Sequence, residues 1–285
     1  MSAGKVSIID LKEKKANGEK ISMITAYDYP TAELVDEAGV DTILVGDSLG
    51  MVILGYKDTL AVTLDEMIHH GRAVARGAKK AMVIIDLPFM TYQVSREQAM
   101  MNAARAIQET GADAVKLEGG GPDIVAAVKG ITSAGIPVVA HLGLTPQSVG
   151  QMGGFKVQGK DINVALKMVE DAEQLEAAGA CAVVLECVPW KVAKLITERI
   201  GIPTIGIGAG KDCDGQVLVY HDVMGLYTGN RPKFVKQYAK AREEMAKGVN
   251  SYVKEVSEGS FPGEEHRFSM PDESFDRLVQ ALKKS

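Results

Sequence analysis

Cysteine is scarce in this chain: three in 285 residues, Cys181, Cys187 and Cys213. An odd count with no CxxC spacing supplies no disulfide framework and reads as reduced intracellular thiols. Aromatic residues make up only 5%, too few for a base-stacking platform. The net charge of −5 leaves no basic footprint for nucleic acid. No apolar run approaches the roughly 18 residues that span a bilayer. The N-terminal stretch "MSAGKVSIIDLKEKKANGEK" lacks a signal peptide's apolar region and reads as a short helix with a charged face. The expectation is a cytoplasmic protein with neither a nucleic-acid nor a membrane partner.

What is present is a repeating pattern. Short apolar runs recur: "ISMITAY", "DTILVGD", "AMVIIDL", "AVKLE", "PVVAHLG", "AVVLEC" and "PTIGIG". Between them lie segments with helical periodicity, such as "TLDEMIHHGRAVARGA" and "SREQAMMNAARAIQETGA". Several end in Ala-Gly or Gly-Ala, as a Gly-capped helix does. Strand–helix alternation over most of the chain predicts a parallel sheet with crossover helices. Near-continuous apolar strands suit a sheet buried on both faces. A doubly wound open sheet is the competitor, but "TAYDYPTAE" after the first strand carries no G-x-G-x-x-G. The prediction is a single (β/α)8 TIM barrel over residues 1–285, with a short N-terminal helix and a C-terminal extension. The eighth strand is placed at "KFV" (Lys233 to Val235), because "QVLVY" (Gln216 to Tyr220) follows Gly208 too closely for a crossover helix. A last barrel helix is expected from about Lys236 to Val256, and a terminal helix in "DESFDRLVQALKKS".

In such a barrel the chemistry sits at the C-terminal ends of the strands. Asp47, Asp86, Glu118, His141 and Glu186 fall there on successive strands. A lone acid at a strand end is most often a turn former or helix cap; five polar residues on successive strands are poorly explained by capping alone. Four carboxylates at one rim repel each other and need a cation, a proton or a lysine partner. Asp47, Asp86 and Glu118 come from consecutive strands and can face one ion, and an all-oxygen set suits Mg²⁺. The other reading is an ion-pair network around Lys116 without metal. In "DAVKLEGGG", Lys116 and Glu118 are two residues apart and share a strand face. Glu186, further round, can stand apart as a base. Ser48 in "GDSLG" offers a hydroxyl for a substrate carboxylate, or else caps a turn.

Other features have plainer readings. "IGIGAG" is either an anion loop or a tightly packed turn. Trp190 either covers the site or anchors a loop. His69 and His70 read as surface or packing residues away from the rim. Cys187 follows Glu186 and, in a regular strand, points to the opposite face.

Together "TAYDY", "VGDSLGM", "DLPFM", "VKLEGG", "HLGLTPQS", "GGFKVQG", "LECVP", "IGIGAG" and "FPGEEH" resemble the ketopantoate hydroxymethyltransferase family, in order from about Ile21 to His266. The resemblance implies a (β/α)8 barrel of the phosphoenolpyruvate/pyruvate type. It implies hydroxymethyl transfer from 5,10-methylenetetrahydrofolate to 3-methyl-2-oxobutanoate, giving 2-dehydropantoate on the route to pantothenate and coenzyme A. Carried over by motif, Asp47, Asp86 and Glu118 are the ligands of one Mg²⁺ per subunit. Asp47, Ser48, Asp86 and Lys116 contact the keto acid, and Glu186 is the general base. His141 is a candidate for shaping the site from behind. "IGIGAG" and the "GGFKVQG" loop are candidates for the folate site. The family resemblance also implies a homodecamer. A lyase or mutase of the same superfamily is the alternative, but the "KKCGH"-like loop common in such lyases is not in this sequence.

Overall fold

The computed structural model describes residues 4–150, 153–154, 156–229 and 231–284. Helix α1 (Ile8–Ala16) precedes β1 (Ile21–Thr25), α2 (Tyr29–Glu37), β2 (Thr42–Val45), α3 (Leu49–Val52), α4 (Leu64–Gly77) and β3 (Met82–Asp86). Then come α5 (Arg96–Thr110), β4 (Ala114–Glu118), α6 (Pro122–Ser133), β5 (Val138–Gly143), α7 (Ile162–Ala177), β6 (Ala182–Glu186) and α8 (Trp190–Arg199). The chain closes with β7 (Thr204–Ile207), β8 (Gly215–Leu218), α9 (Tyr220–Val223), α10 (Ala241–Glu258) and α11 (Asp272–Leu282). The strands are parallel and form a closed barrel in sequence order, β8 pairing back to β1.

Local chemistry sets the helix ends. Asp28, Thr63 and Ser95 accept main-chain N–H bonds at the starts of α2, α4 and α5, and Thr63 forms a reciprocal capping box with Glu66. Gly111 ends α5 in the left-handed conformation at φ 76°.

Strand alternation then sorts side chains into two cores. On β4, Val115 and Leu117 pack outward against the helices. Ala114 joins an inner cluster with Met23, Leu44, Met82, Ile84, Val139 and Val184 at the base of the barrel. Lys116 and Glu118 continue that inward row toward the C-terminal rim, so their shared face is the barrel interior.

The base of the barrel is plugged by α1. Leu11 is buried against Ile21, Met23 and Met82. Around it stand three aspartates, each immediately before an even-numbered strand. Asp41, Asp113 and Asp214 accept the main-chain N–H of Ser22, Val83 and Thr204, each at 2.8 Å. Lysines near the N-terminus pair with all three: Lys14 with Asp41 at 2.5 Å, Lys5 with Asp113 at 2.5 Å and Lys15 with Asp214 at 2.9 Å. Burial pushes the Asp41 carboxyl up, but Lys14 and Ser22 outweigh it and hold it below the usual range. Its stabilising contribution is therefore present above about pH 4 and lost as pH falls through the lower folded value. Partly exposed ion pairs are worth little, so the buried leucine dominates the plug. Leu11→Ala is expected to destabilise by about 2–5 kcal/mol, while Lys5→Ala costs under about 1 kcal/mol; thermal melts of both variants check this ordering.

The eighth strand is not where the sequence pattern places it. It is Gly215–Leu218, and β7 reaches it through residues 208–214 with no intervening helix. Seven extended residues reach roughly 23 Å, ample to return along a strand of four. Lys233–Val235 instead lies across the barrel mouth, where the Phe234 ring fills the space a Cβ at Gly208 would need, 2.7 Å away. The following helix starts at Ala241, later than the predicted Lys236, because residues 232–240 are spent on that crossing. Helices α10 and α11 bury no residue of their own. They leave Met245, Val249, Tyr252, Phe275 and Leu278 exposed.

Candidate active site

The C-terminal rim opens into a cavity of about 740 Å³. Asp47, Ser48, Asp86, Lys116, Glu118, His141 and Glu186 all line it, so these seven residues come to one place. Asp86, Glu118 and Glu186 are the last residues of β3, β4 and β6, and Asp47 lies just beyond β2.

Register explains the pairing. Asp86 stands beside Lys116 across β3–β4, and Glu118 stands beside His141 across β4–β5. Registered neighbours in a parallel sheet point to the same side. The Lys116 ammonium accordingly lies 2.9 Å from Asp86 Oδ1, an ion pair set off the ideal hydrogen-bond direction. It is also 3.5 Å from His141 Nδ1. The imidazole sits between two acids: Nδ1 is 3.4 Å from Glu118 Oε1, and Nε2 is 3.3 Å from Glu186 Oε2. Glu186 is the more exposed of these two acids, at 16% against 3% for Glu118.

The electrostatics follow from this crowding. Burial, then Glu118 and Asp86, push the Asp47 carboxyl well above the usual carboxylate range. Burial also raises Asp86, with Lys116 opposing. Glu118 goes the other way: burial is overcome by His141, Lys116 and the Gln147 N–H. Burial and Lys116 depress the His141 imidazole, but Glu118 and Glu186 prevail and lift it to about 9. Lys116 is raised despite its burial, by Asp86, Glu118 and Asp47, and stays charged.

Four carboxylates thus face two positive groups, Lys116 and the His141 imidazole, and Asp86 Oδ1 has no aligned hydrogen-bond donor. A hard divalent cation fits that excess of negative oxygen. Among the described residues, no three His, Cys, Asp or Glu side chains converge tightly enough to enclose an ion unaided. The set suits Mg²⁺, which keeps several waters and takes one or two carboxylates together with substrate oxygens.

Several residues with a place in this site were not singled out from sequence. Gln147, on the short turn after β5, bonds to Asp47 and Glu118. The Tyr92 hydroxyl accepts the Glu118 N–H at 3.0 Å and donates to Gln147 Oε1 at 2.7 Å. The Tyr27 hydroxyl is 2.8 Å from Ser48 Oγ. Ser48 precedes α3 but makes no capping bond with its side chain, so its hydroxyl belongs to the cavity. Gly46 keeps this corner open, since a Cβ there would lie 2.9 Å from Ser48 Oγ. The motifs "TAYDY" and "HLGLTPQS" contain Tyr27 and Gln147, while Tyr92 lies just after "DLPFM"; only the return of distant loops over the rim gives them partners.

The remaining expectations divide. Cys187 does not point away: its backbone turns left-handed at φ 49°, breaking strand alternation, and it lines the cavity. Burial and then Glu186 push its thiol up to about 11, so it is a poor nucleophile. The "IGIGAG" glycines are packed: Cβ atoms at Gly206, Gly208 and Gly210 would meet Cys213, Phe234 and Trp190. Trp190 therefore anchors that loop and is absent from the cavity lining. His69 is exposed, while His70 Nδ1 bonds to the Tyr27 carbonyl at 2.6 Å. Lys156 and Val157 of "GGFKVQG" line the outer cavity; Phe155 lies outside the described residues.

Comparison with known proteins bears on the whole chain. Among solved structures, a phosphonopyruvate hydrolase aligns with TM-score 0.61 at 12% identity, covering 99% of this chain and 98% of that one. A phosphoenolpyruvate phosphomutase from Streptomyces platensis subsp. rosaceus aligns with TM-score 0.60 at 15% identity, covering 98% and 97%. At such identity they speak for the barrel fold alone. The 3-methyl-2-oxobutanoate hydroxymethyltransferase of Thermoanaerobacter sp. (strain X514) is 58% identical, over 93% of this chain and 97% of its own. That of Clostridium novyi (strain NT) is 56% identical, over 96% and 99%. The sequence profile described as Ketopantoate hydroxymethyltransferase matches residues 5–264, and the chain belongs to that family of hydroxymethyl-transferring enzymes.

Proposed function

We propose that the site transfers a hydroxymethyl group from 5,10-methylenetetrahydrofolate to 3-methyl-2-oxobutanoate, giving 2-dehydropantoate for pantothenate synthesis, with Mg²⁺ bound at the acid cluster. The observation that carries this reading is the division of labour among the acids. Asp47, Asp86 and Glu118 are buried together around Lys116. Glu186 stands apart on β6, more exposed to the cavity.

Asp47 and Asp86, with Glu118 behind them, would hold the cation. When bound, the cation would act as a Lewis acid on the keto acid's 2-oxo group. Lys116 adds a fixed positive charge beside the oxygen that becomes negative as C3 loses its proton. Ser48, oriented by Tyr27, donates to the substrate carboxylate. Glu186 takes the C3 proton as general base. His141 Nε2 lies 3.3 Å from Glu186 Oε2, off the ideal hydrogen-bond direction, and sets a positive neighbour beside that carboxylate. Water opens the folate's methylene bridge, breaking both C–N bonds and releasing formaldehyde and tetrahydrofolate. The enolate carbon adds to the formaldehyde carbonyl carbon, and the formaldehyde oxygen takes back the proton held by Glu186 to become the hydroxyl. The cavity has room for both substrates: about 740 Å³ lies within the roughly 300–1,000 Å³ of pockets that hold drug-sized ligands.

A cytoplasmic setting and a homodecameric assembly belong to the same reading. Three free thiols support the first. The exposed apolar faces of α10 and α11 support self-association. No helix among the described residues is long and apolar enough to cross a membrane.

The direct test supplies 3-methyl-2-oxobutanoate, 5,10-methylenetetrahydrofolate and Mg²⁺ and follows product by mass spectrometry. Formation of 2-dehydropantoate, abolished by EDTA and restored by Mg²⁺, is the expected result. Turnover unaffected by EDTA would refute the cation site.

A further inference from the structure

Gln147 is buried at the centre of the acid cluster, carried there by the turn Pro146–Ser148. A primary amide has two N–H donors and a carbonyl oxygen with two lone pairs, and here all four are used. Nε2 donates to Asp47 Oδ2 at 2.9 Å and to the Leu87 carbonyl at 3.0 Å. Oε1 accepts from the Tyr92 hydroxyl at 2.7 Å and from Gln93 Nε2 at 3.2 Å. The Leu87 carbonyl can only accept, so the amide has one orientation; a flip would set oxygen against oxygen. The main-chain N–H of the same residue donates to Glu118 Oε2 at 3.0 Å.

One residue thus holds one oxygen on each of two carboxylates that come from different strands. The third carboxylate is held in the same manner, Asp86 Oδ2 accepting the Asp47 N–H at 3.0 Å. In each case a neutral N–H donor fixes one oxygen. The partner oxygens of Glu118 and Asp86 face the positive groups of the site, Glu118 Oε1 toward His141 and Asp86 Oδ1 toward Lys116. A neutral amide can do this without competing for the site's cation, as a lysine would, and without adding repulsion, as an acid would.

We propose that Gln147 is the positioning residue of the cation site, the side-chain amide setting Asp47 and the main-chain N–H setting Glu118, with Tyr92 and Gln93 locking the amide. The inference rests on the proposed reading of these acids as the cation site. Partners that orient ligands in this way typically carry 10–100-fold in metal affinity.

The test titrates Mn²⁺, a spin-active substitute for Mg²⁺, into the intact protein by electron paramagnetic resonance, with thermal melts in parallel. Gln147→Met keeps the length of the side chain but loses the donor to Asp47 and adds no charge. Its Mn²⁺ affinity is expected to fall about tenfold or more. Gln93→Leu removes the second donor to the amide oxygen and leaves the bonds to the acids in place, so it serves if Gln147→Met does not fold. A smaller loss, about threefold to tenfold, is expected there, with the melting temperature far less affected than by Leu11→Ala. Folded variants that bind Mn²⁺ as tightly as wild type overturn the positioning role while leaving the cation site standing. Wild-type protein that binds no Mn²⁺ overturns the cation reading itself, and this inference with it.

Discussion

Glu186→Gln is expected to lower kcat by about 10²–10⁴-fold, the usual contribution of a positioned general base. KM for the keto acid should stay within a few fold. The amide keeps the volume of the carboxylate and its approach to His141, but it cannot take a proton. Glu186 lies outside the buried trio around Lys116 and is partly exposed, so its neutralisation should leave the proposed cation site and the fold intact. Steady-state kinetics with a Mn²⁺ titration separates the outcomes. A fall in kcat with unchanged metal affinity is the signature of a base. An equal loss in both would make Glu186 part of the cation site instead.

Lys116→Met is expected to cost more than catalysis. The lysine is 4% exposed and pairs with an equally buried Asp86. Removing one partner of a buried pair leaves the other uncompensated, at about 3–5 kcal/mol. Here the acids lose the nearer of their two positive partners and keep only His141, so the unliganded protein should melt markedly lower. Added Mg²⁺ should restore part of that stability, because a cation that binds only the folded state stabilises it by mass action. Turnover should stay low even with saturating Mg²⁺, since the charge beside the developing enolate is gone. Melting curves with and without Mg²⁺ check this. A variant as stable as wild type without metal would mean that the acids are largely protonated and need no counter-charge.

Much of this was legible in the residues. Period-two alternation put Lys116 and Glu118 on one face, and the barrel pattern made that face the interior. Strand-end acids converged because the rim of a parallel barrel gathers the ends of all its strands. What was not legible depended on backbone detail or on distant returns of the chain. The eighth strand was misplaced because β8 is four residues long and needs no crossover helix. Lys233–Val235 has the apolar look of a strand because Phe234 closes over Gly208. Cys187 reached the cavity through a left-handed φ that nothing in "LECVP" announces. Gln147 was invisible as a site residue because its partner Asp47 is a hundred positions away. The three lysine–aspartate pairs that ring the α1 plug lay hidden for the same reason.

The central claim is that Glu186 removes the C3 proton of a keto acid held at the acid cluster. It can be tested without folate. With Mg²⁺ in D₂O, proton NMR should show the C3 hydrogen of 3-methyl-2-oxobutanoate exchanging in the presence of the wild-type protein. The exchange should be lost with Glu186→Gln and with EDTA. Exchange that proceeds as fast with Glu186→Gln as with wild type would contradict the account.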